Sequence, residues 1–305
     1  MKTKILFALI FVVFLNATAY SQFDKPMITL GFGVNEPKKQ MKGEAFVDQI
    51  VTVKGYSHYV TNVSEDFITN NYGTSTGLNF FGSAKINFDK YNTFRGVLSL
   101  NYNNFNTFKG DRSANTLGLV GTIGGYVDTI IVPVVYSNSF NNFGIGLGLE
   151  IAPTAFSNII SPFFGASFNF NFISAEMTKT LSAYDSLRAN FSSFRLGANL
   201  NIGLEFKVTQ QIGILFGWKY DLANMLLKNT DASYTSSVQF GRDNLELNDE
   251  EGYYYSSLTQ PVYSTIPFPK YAQQKHMEWW TIYGGINIYL NVPTSAPEKN
   301  KIRNK

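Results

Sequence analysis

The stretch NFGIGLGLEIA, residues 142–152, places an apolar side chain at every second position, with glycines and one glutamate, Glu150, between them. Alternation with a period of two is the pattern of a β-strand that has two different faces. Glycines beside a single charge leave room on the second face for long side chains from neighbouring strands. The stretch therefore predicts a strand whose apolar face meets lipid and whose other face lines a narrow lumen.

Seven further segments alternate in the same way, and most are close to the ~9–11 residues that a tilted strand needs to cross a bilayer core. They are MITLGFGV (27–34), LNFFGSAKINF (78–88), FRGVLSLNYN (94–103), SPFFGASFNFNF (161–172), FRLGANLNIGLEF (194–206), IGILFGWKYD (212–221) and WTIYGGINIYL (280–290). A competing segment, 44–54, is interpreted as a strand-like arm of the first long loop. The predicted fold is all-β, an eight-stranded antiparallel up-and-down transmembrane β-barrel.

The connections between these segments alternate in length. Three are tight, at 89–93, 153–158 and 208–211, and three are long and polar, at 104–141, 173–191 and 222–279. Outer-membrane barrels have short periplasmic turns and longer extracellular loops. The pattern therefore predicts that the long loops are extracellular and that both termini of the barrel are periplasmic.

Charged side chains of the predicted strands fall on the glycine-rich face. A charge on the lipid side costs roughly 2–4 kcal/mol near the midplane, and a lone buried carboxylate is too costly to keep ionised. Glu150 is therefore expected to pair with a cation such as Arg95 or Arg195, in a structural network that closes the lumen; a proton or ion path is the alternative. The expected network consists of Lys85, Arg95, Glu150, Arg195, Glu205, Lys207, Lys219 and Asp221.

Composition supports a lipid-covered surface. Aromatic residues make up 16% of the chain and charged residues only 15%, whereas soluble domains carry roughly 25% charged residues. The aromatic residues also gather near the ends of the predicted strands, as in the girdles of membrane barrels. A soluble, lipocalin-like barrel with its apolar face inside is the alternative.

The two ends of the chain differ from its body. Two lysines, an apolar run from Ile5 to Leu15 and small residues after it indicate a secretory signal in residues 1–21,. The barrel domain is then 22–291, followed by a basic periplasmic tail at 292–305. A nearly neutral body has no nucleic-acid footprint, and the absence of cysteine excludes disulfides and thiolate metal sites.

Few residues offer catalytic or metal-binding chemistry. The two histidines are His58, beside Ser57, and His276. Neighbouring residues of a strand point to opposite faces, so Ser57 and His58 make a poor dyad. The acidic segment 242–252 has the oxygen ligands that calcium prefers but lacks the spacing of a calcium loop. We therefore expect no enzyme activity, no catalytic residue, no cofactor and no metal site.

The last long loop carries more aromatic character than a passive linker needs. Loops held on a rigid scaffold are where binding usually resides, so this loop is the candidate interaction surface. Its aromatic residues are Tyr253, Tyr254, Tyr255, Tyr263 and Phe268.

The chain resembles the small outer-membrane barrels of Bacteroidota that are grouped as PorT-like and are similar in architecture to OmpA- and OmpX-type barrels. The resemblance lies in the hairpins 143–172 and 194–226, the loop stretch LELNDEE (245–251) and the closing strand 279–290. It implies an integral outer-membrane protein without catalysis, surrounded by outer-membrane lipid, and it raises a link to type IX secretion. One departure is the tail after the last strand, which removes the terminal aromatic residue of many such proteins.

Three functional hypotheses follow. The first is a non-enzymatic barrel that serves a structural or partner-binding role through its loops, as an accessory to secretion or envelope assembly. The second is a small pore, which needs a continuous water path through the lumen. The third is a lipid-modifying enzyme, which needs His58 or His276 beside a serine at the bilayer edge.

Overall fold

The structure is a computed structural model. It describes residues 26–43, 47–53, 56–61, 72–88, 93–108, 116–123, 126–133, 135–153, 159–180, 186–229, 242–247, 249–254 and 270–290. The predicted signal segment and basic tail lie outside these residues and stay predictions. Within the described part, no helix is long and apolar enough to cross a membrane.

The described part of the chain consists almost entirely of β-strands. In chain order these are β1 Met27–Lys38, β2 Val47–Val53, β3 Tyr56–Thr61, β4 Thr74–Asn87, β5 Phe94–Thr107, β6 Thr116–Ile123, β7 Tyr126–Pro133, β8 Val135–Ile151, β9 Ile160–Thr180, β10 Ser186–Lys207, β11 Ile212–Leu226, β12 Arg242–Leu245, β13 Gly252–Tyr254, β14 Lys270–Ala272 and β15 Glu278–Tyr289, with a single-turn 3-10 helix at Lys39–Met41.

Eight of these strands close into a barrel, which confirms the predicted fold. The order around the barrel is β1, β4, β5, β8, β9, β10, β11 and β15, and β15 pairs with β1 to close the ring. All eight neighbouring pairs are antiparallel. Closure removes the unpaired strand edges that a membrane interior could not solvate.

The remaining strands belong to the connections. The hairpins β2–β3 and β6–β7 and the pair β13–β14 form small separate sheets, while β12 lies parallel to the upper part of β10. The segment predicted as a strand-like arm, 44–54, contains β2, which pairs with β3 and not with the barrel.

Tight connections lie at one end of the barrel, the turn end. In the connection between β10 and β11, the Oγ1 atom of Thr209 accepts hydrogen bonds from the backbone N–H groups of Gln211 and Ile212, at 3.1 and 2.9 Å. A hydroxyl that binds the backbone in this way is a common means of closing a short turn. The other end of the barrel, the loop end, carries the long connections.

At the loop end, the barrel rises further than the sequence pattern predicts. The segment 173–191, predicted as a long polar loop, is largely paired strand, because β9 extends to Thr180 and β10 begins at Ser186. Its outward residues change from aromatic to polar above Phe172, while Ile173 and Ala175 stay buried inside. The change produces a polar stretch that resembles a loop in the sequence, although the backbone pairing continues.

The outer face of the barrel is an apolar belt. Phe32 of β1 is 66% exposed, and its outward neighbours along all eight strands are exposed large apolar residues. In water so large an apolar surface would be unfavourable, whereas in lipid it is the required surface. Examples from successive strands are Leu30, Phe80, Leu100, Leu149, Phe168, Ile202, Phe216 and Ile286.

Replacing Phe32 with arginine tests this belt. We expect a loss of about 2–4 kcal/mol in the free energy of unfolding from lipid vesicles, because Phe32 lies midway along its strand, where a charge meets hydrocarbon. The matched control is Ser174→Arg, on the outer face of β9 above the belt, which should change the stability by less than about 0.5 kcal/mol. Equal effects of the two substitutions would contradict a lipid-facing belt.

The barrel interior is filled by side chains, and its glycines make this possible. A Cβ atom at Gly31 would overlap the ring of Phe81, and one at Gly217 would overlap the hydroxyl end of Tyr283. A lower apolar cluster near these rings consists of Ala152, Phe163, Leu215 and Tyr283, with Phe81 packed against it. A larger upper cluster at the loop end consists of Met41, Tyr72, Phe105, Phe140, Ile173, Ala175, Phe191, Ala223, Leu247, Met277 and Trp279.

Candidate functional site: the charged lumen and its capped mouth

The lumen holds a four-charge network near the turn end. The carboxylate of Glu150 lies 2.8 Å from the Nζ atom of Lys85 and 3.1 Å from the Nη1 atom of Arg95. The same Arg95 atom lies 2.8 Å from Glu205, and the other oxygen of that carboxylate accepts a hydrogen bond from the hydroxyl of Tyr289. The structure thus brings together two cations and two carboxylates in a neutral group.

Strand register positions these groups. Arg95 and Glu150 are direct partners across β5 and β8, and all four charged residues are at most 5% exposed. Charges removed from water are tolerated only when they are paired and hydrogen-bonded. The neutral network blocks the lumen at this level, and it contains the predicted pairing of Glu150 with Arg95.

A second polar layer lies in the middle of the lumen. The Nζ atom of Lys219 lies 2.9 Å from the side-chain oxygen of Asn101 and 3.6 Å from the carboxylate of Asp221. Asn199 donates a hydrogen bond of 2.8 Å to the other oxygen of Asp221. Between this layer and the lower network is a cavity of about 60 Å³ lined by Ser83, Ser99, Asn201 and other residues, which has room for a few water molecules.

A third charged group closes the mouth at the loop end, and we call it the latch. Arg195 of β10 binds Asp249 of the last long connection through two bonds of 2.9 Å, from Nε and from Nη2. The Nη2 atom also donates to the backbone oxygen of Leu247 at 3.0 Å. Two planar groups joined by parallel bonds form the strongest type of ion pair in proteins. Arg195 is 2% and Asp249 is 0% exposed.

Further hydrogen bonds fix the chain around the latch. Asn224 donates to Asp249 and to the backbone oxygen of Lys275, both at 2.9 Å, and it accepts from the backbone N–H of Met277 at 2.7 Å. The backbone N–H of Leu247 donates to the hydroxyl of Ser193 at 2.9 Å. Parts of the last connection therefore fold inward as a cap over the lumen, and Leu247 and Met277 join the upper apolar cluster.

Two residues of the expected network take other positions. Arg195, offered as a partner of Glu150, pairs with Asp249 instead. Lys207 stands at the turn-end opening and not in the buried network, since its side chain is exposed and its Nζ atom lies 5.5 Å from the ring centroid of Tyr289. It stands at the last residue of β10, where the strand leaves the barrel wall.

The sequence pattern missed Asp249 and Asn224 as interior residues. Asp249 stands in a segment rich in acidic side chains, whose sequence indicates only a candidate cation ligand. In the structure its neighbours have other partners: Glu246 accepts from Asn229, and Glu250 accepts from Gln274. No group of three histidine, aspartate or glutamate side chains that could hold a metal occurs among the described residues.

The aromatic loop surface lies mostly outside the described residues. Tyr255, Tyr263 and Phe268 are outside them, and only the backbone of Tyr253 and Tyr254 is described, in β13. The pairing of β13 with β14 places the two ends of the segment 255–269 side by side. His58 has a described backbone in β3, where the register pairs it with Val51.

His276 lies just before β15, beyond the membrane belt. Burial and the nearby ammonium groups of Lys228 and Lys39 lower the pKa of His276, against a smaller opposing effect of Glu278. Its Nδ1 atom lies 3.3 Å from Nζ of Lys228, a contact that the neutral ring can accept. Burial also lowers the pKa of Lys228, while Asp249 and Glu250 partly oppose the shift.

The lowered pKa of His276 predicts a pH-dependent cap. A group whose pKa is lower in the folded state stabilises that state above its unfolded pKa of 6.5, and the contribution is lost as the pH falls through the folded value. We expect amide-exchange protection in 273–277, corrected for intrinsic rates, to fall below about pH 6.5. His276→Gln should remove that fall; equal pH dependence in both proteins would contradict the prediction.

These features define a class of protein. A closed eight-stranded antiparallel barrel with an apolar exterior and a charged, side-chain-filled interior has the architecture of the small outer-membrane barrels. No family model matches the chain, and no curated protein is similar to it in sequence.

Solved structures of similar fold are found at low sequence identity. Neisserial surface protein A has a TM-score of 0.39 and 11% identity, over 87% of this chain and 96% of that one. The outer membrane protein OprG from Pseudomonas aeruginosa has a TM-score of 0.40 and 10% identity, over 87% of this chain and 95% of that one. The attachment invasion locus protein Ail of Yersinia pestis has a TM-score of 0.34 and 9% identity, over 87% of this chain and 99% of that one. The assignment to the class rests on the strand pairing and the two faces of the barrel.

Proposed function

We propose that the protein is an exported, integral outer-membrane barrel that has no enzyme activity and acts by binding a partner through its long extracellular loops. The observation that carries the proposal is the closure of the lumen at two levels, by the neutral network around Glu150 and by the latched cap at Arg195. A lumen closed in this way leaves the long connections as the part available for recognition. A link to secretion or envelope assembly, which the resemblance to PorT-like barrels implies, is part of the proposal.

The segment 255–269, which joins β13 to β14, is the proposed recognition element. Because Tyr254 and Lys270 are paired neighbours, a two-residue Asn-Gly turn can replace the segment without displacing either strand. The variant should keep the heat-modifiable gel band of a folded barrel. In cells that lack the native gene it should fail to restore the envelope phenotype, meaning the difference between those cells and cells with the intact protein. The matched control shortens the connection 181–185, whose flanking residues Thr180 and Ser186 are also paired.

Protease shaving of intact cells tests the orientation. Released peptides from 255–269, together with a heat-modifiable band in the outer-membrane fraction, are expected. A soluble periplasmic protein without such a band would overturn the proposal. If the loop replacement leaves the phenotype intact while the control abolishes it, the recognition element has been misplaced.

A small pore is the second candidate, and the polar cavity in the middle of the lumen favours it. Conduction would need both the cap and the lower network to open. Planar-bilayer recordings of the full chain should show no steady conductance steps under the first proposal. Regular steps would support the pore instead.

A further inference from the structure

One sector of the loop-end rim has a surface unlike the rest. On the outer face of β11 and β15 stand Trp218 and Trp280, two of the three tryptophans of the chain. Their ring centroids are 6.4 Å apart in an edge-to-face arrangement, and Tyr220 stacks on Trp218, also at 6.4 Å. Such rings favour the boundary between acyl chains and headgroups.

Lysine side chains lie next to this aromatic platform. The Nζ atom of Lys38, on the neighbouring strand β1, lies 4.4 Å from the ring centroid of Trp280. Lys39 follows it with a side chain that is 65% exposed. Lys228 follows the end of β11, and its Nζ atom lies 3.3 Å from Nδ1 of His276, while Lys39 pairs with Glu278 at 2.8 Å. Both partners stand at or just before the start of β15, which places the two lysines in the same sector.

Acidic groups compensate this charge only in part. Glu278 pairs with Lys39 at 2.8 Å and accepts a hydrogen bond from the Tyr220 hydroxyl, and Glu36 accepts one from Thr76 on the far side of β1. Neither Lys38 nor Lys228 forms an ion pair with another of the described residues. The sector therefore offers two ammonium groups that have no carboxylate partner among the described residues, that of Lys38 over the Trp280 ring and that of Lys228 beside His276 at the loop end.

An apolar lip adjoins the lysines. Met225, Leu226 and Leu227 at the end of β11 are 41%, 50% and 54% exposed, and Leu227 has a left-handed φ of 64°. On the opposite side of the barrel, the outward rim residues of β5, β8 and β9 whose side chains are described are neutral or acidic. They include Asn104, Asn106, Asn141, Ser174 and Glu176.

We propose that this sector, formed by Lys38, Lys39, Trp218, Tyr220, Lys228 and Trp280, is a binding site for a phosphate-bearing membrane lipid. The lipid lies in the leaflet at the loop end, with its acyl chains against the tryptophans and the lip and its phosphate against the lysines. Juxtamembrane lysines attract anionic headgroups, and the apolar contacts favour a lipid over a free anion. The inference rests on the proposed membrane insertion of the barrel.

Tryptophan quenching by brominated lipids tests the site. The full chain is refolded into phosphatidylcholine vesicles that contain a small fraction of either brominated phosphatidic acid or brominated phosphatidylcholine of the same chain length. Trp218 and Trp280 face the lipid, whereas Trp279 is buried inside and adds a constant background. We expect phosphatidic acid to be enriched at the site about fivefold per engaged ammonium group.

The variant Lys38→Gln/Lys39→Gln/Lys228→Gln should reduce this preference to about one, while Lys207→Gln, at the turn end, should leave it unchanged. Equal quenching by both lipids in the parent protein, or a preference that survives the triple substitution, would overturn the site and leave the barrel intact. A preference abolished by inorganic phosphate would indicate a free-phosphate site and overturn the lipid assignment. Absence of quenching by either lipid would instead contradict membrane insertion.

Discussion

Replacing Asp249 with alanine is expected to lower the free energy of unfolding by about 3–5 kcal/mol. The substitution leaves the guanidinium of Arg195 buried at the mouth of the barrel without a counter-charge, and it removes the acceptor that Asn224 and the backbone N–H of Asn229 also use. Urea titration of the protein in vesicles, followed by tryptophan fluorescence, measures the loss. Protease should also cleave the cap segment 242–250 more readily.

Two variants show whether the loss belongs to the latch. Glu246→Ala removes an exposed acid of the same connection, bonded to Asn229, and should change stability by less than about 0.5 kcal/mol. The double variant Arg195→Leu/Asp249→Leu buries no charge and should recover most of the loss. If Asp249→Ala is as stable as Glu246→Ala, the cap is not held by this ion pair.

Replacing Glu150 with glutamine is expected to have a similarly large effect, of about 3–5 kcal/mol. Glutamine has nearly the same shape but no charge, so Lys85 and Arg95 are left in the lumen with only Glu205 to balance them. The buried network then carries one uncompensated positive charge. The same urea titration measures the effect, and Glu176→Gln, on the outer face of β9, serves as the control.

Restoring neutrality separates charge from packing in this network. In the double variant Lys85→Met/Glu150→Gln, Arg95 and Glu205 remain as a neutral pair at 2.8 Å. The double variant should therefore be more stable than Glu150→Gln alone, although it carries one more substitution. If the two substitutions simply add their losses, charge balance does not govern the stability of the lumen.

The barrel could be predicted because its cause is local. In each strand, apolar residues alternate with polar or small ones according to the face on which they lie. On β10 the outward residues are Leu200, Ile202 and Leu204, and the inward ones are Asn199, Asn201 and Glu205. A shift of one residue would exchange the two faces, so the pattern also fixes the register. Eight such segments suffice to define the closed sheet.

The latch could not be predicted from the same pattern, because it joins β10 to a connection over 50 residues away in the chain. One general argument would have indicated it. Of the expected network, the four cations that face the lumen, Lys85, Arg95, Arg195 and Lys219, outnumber the three carboxylates Glu150, Glu205 and Asp221 by one. A buried excess charge must find a partner, and a loop acid is the available source.

The loop-end extension of the strands was missed for a different reason. Above the lipid belt the outer face of a strand no longer meets lipid, and its outward residues become serine, threonine and glutamate. Alternation between lipid and lumen, the signal that identified the eight strands, ends at Phe172 on β9, yet the backbone pairing continues to Thr180.

The measurement that tests the central claim most directly is the accessibility of single cysteines along β10. The chain contains no cysteine, so nitroxide labels can be placed one at a time at residues 199–204 of the barrel in vesicles. Collisions with oxygen, which concentrates in lipid, should peak at Leu200, Ile202 and Leu204 and fall at the residues between them. A label at Ser192, above the belt, should instead meet a water-soluble nickel complex. If the nickel complex reaches Leu200, Ile202 and Leu204 as readily as Ser192, the apolar face does not lie in lipid.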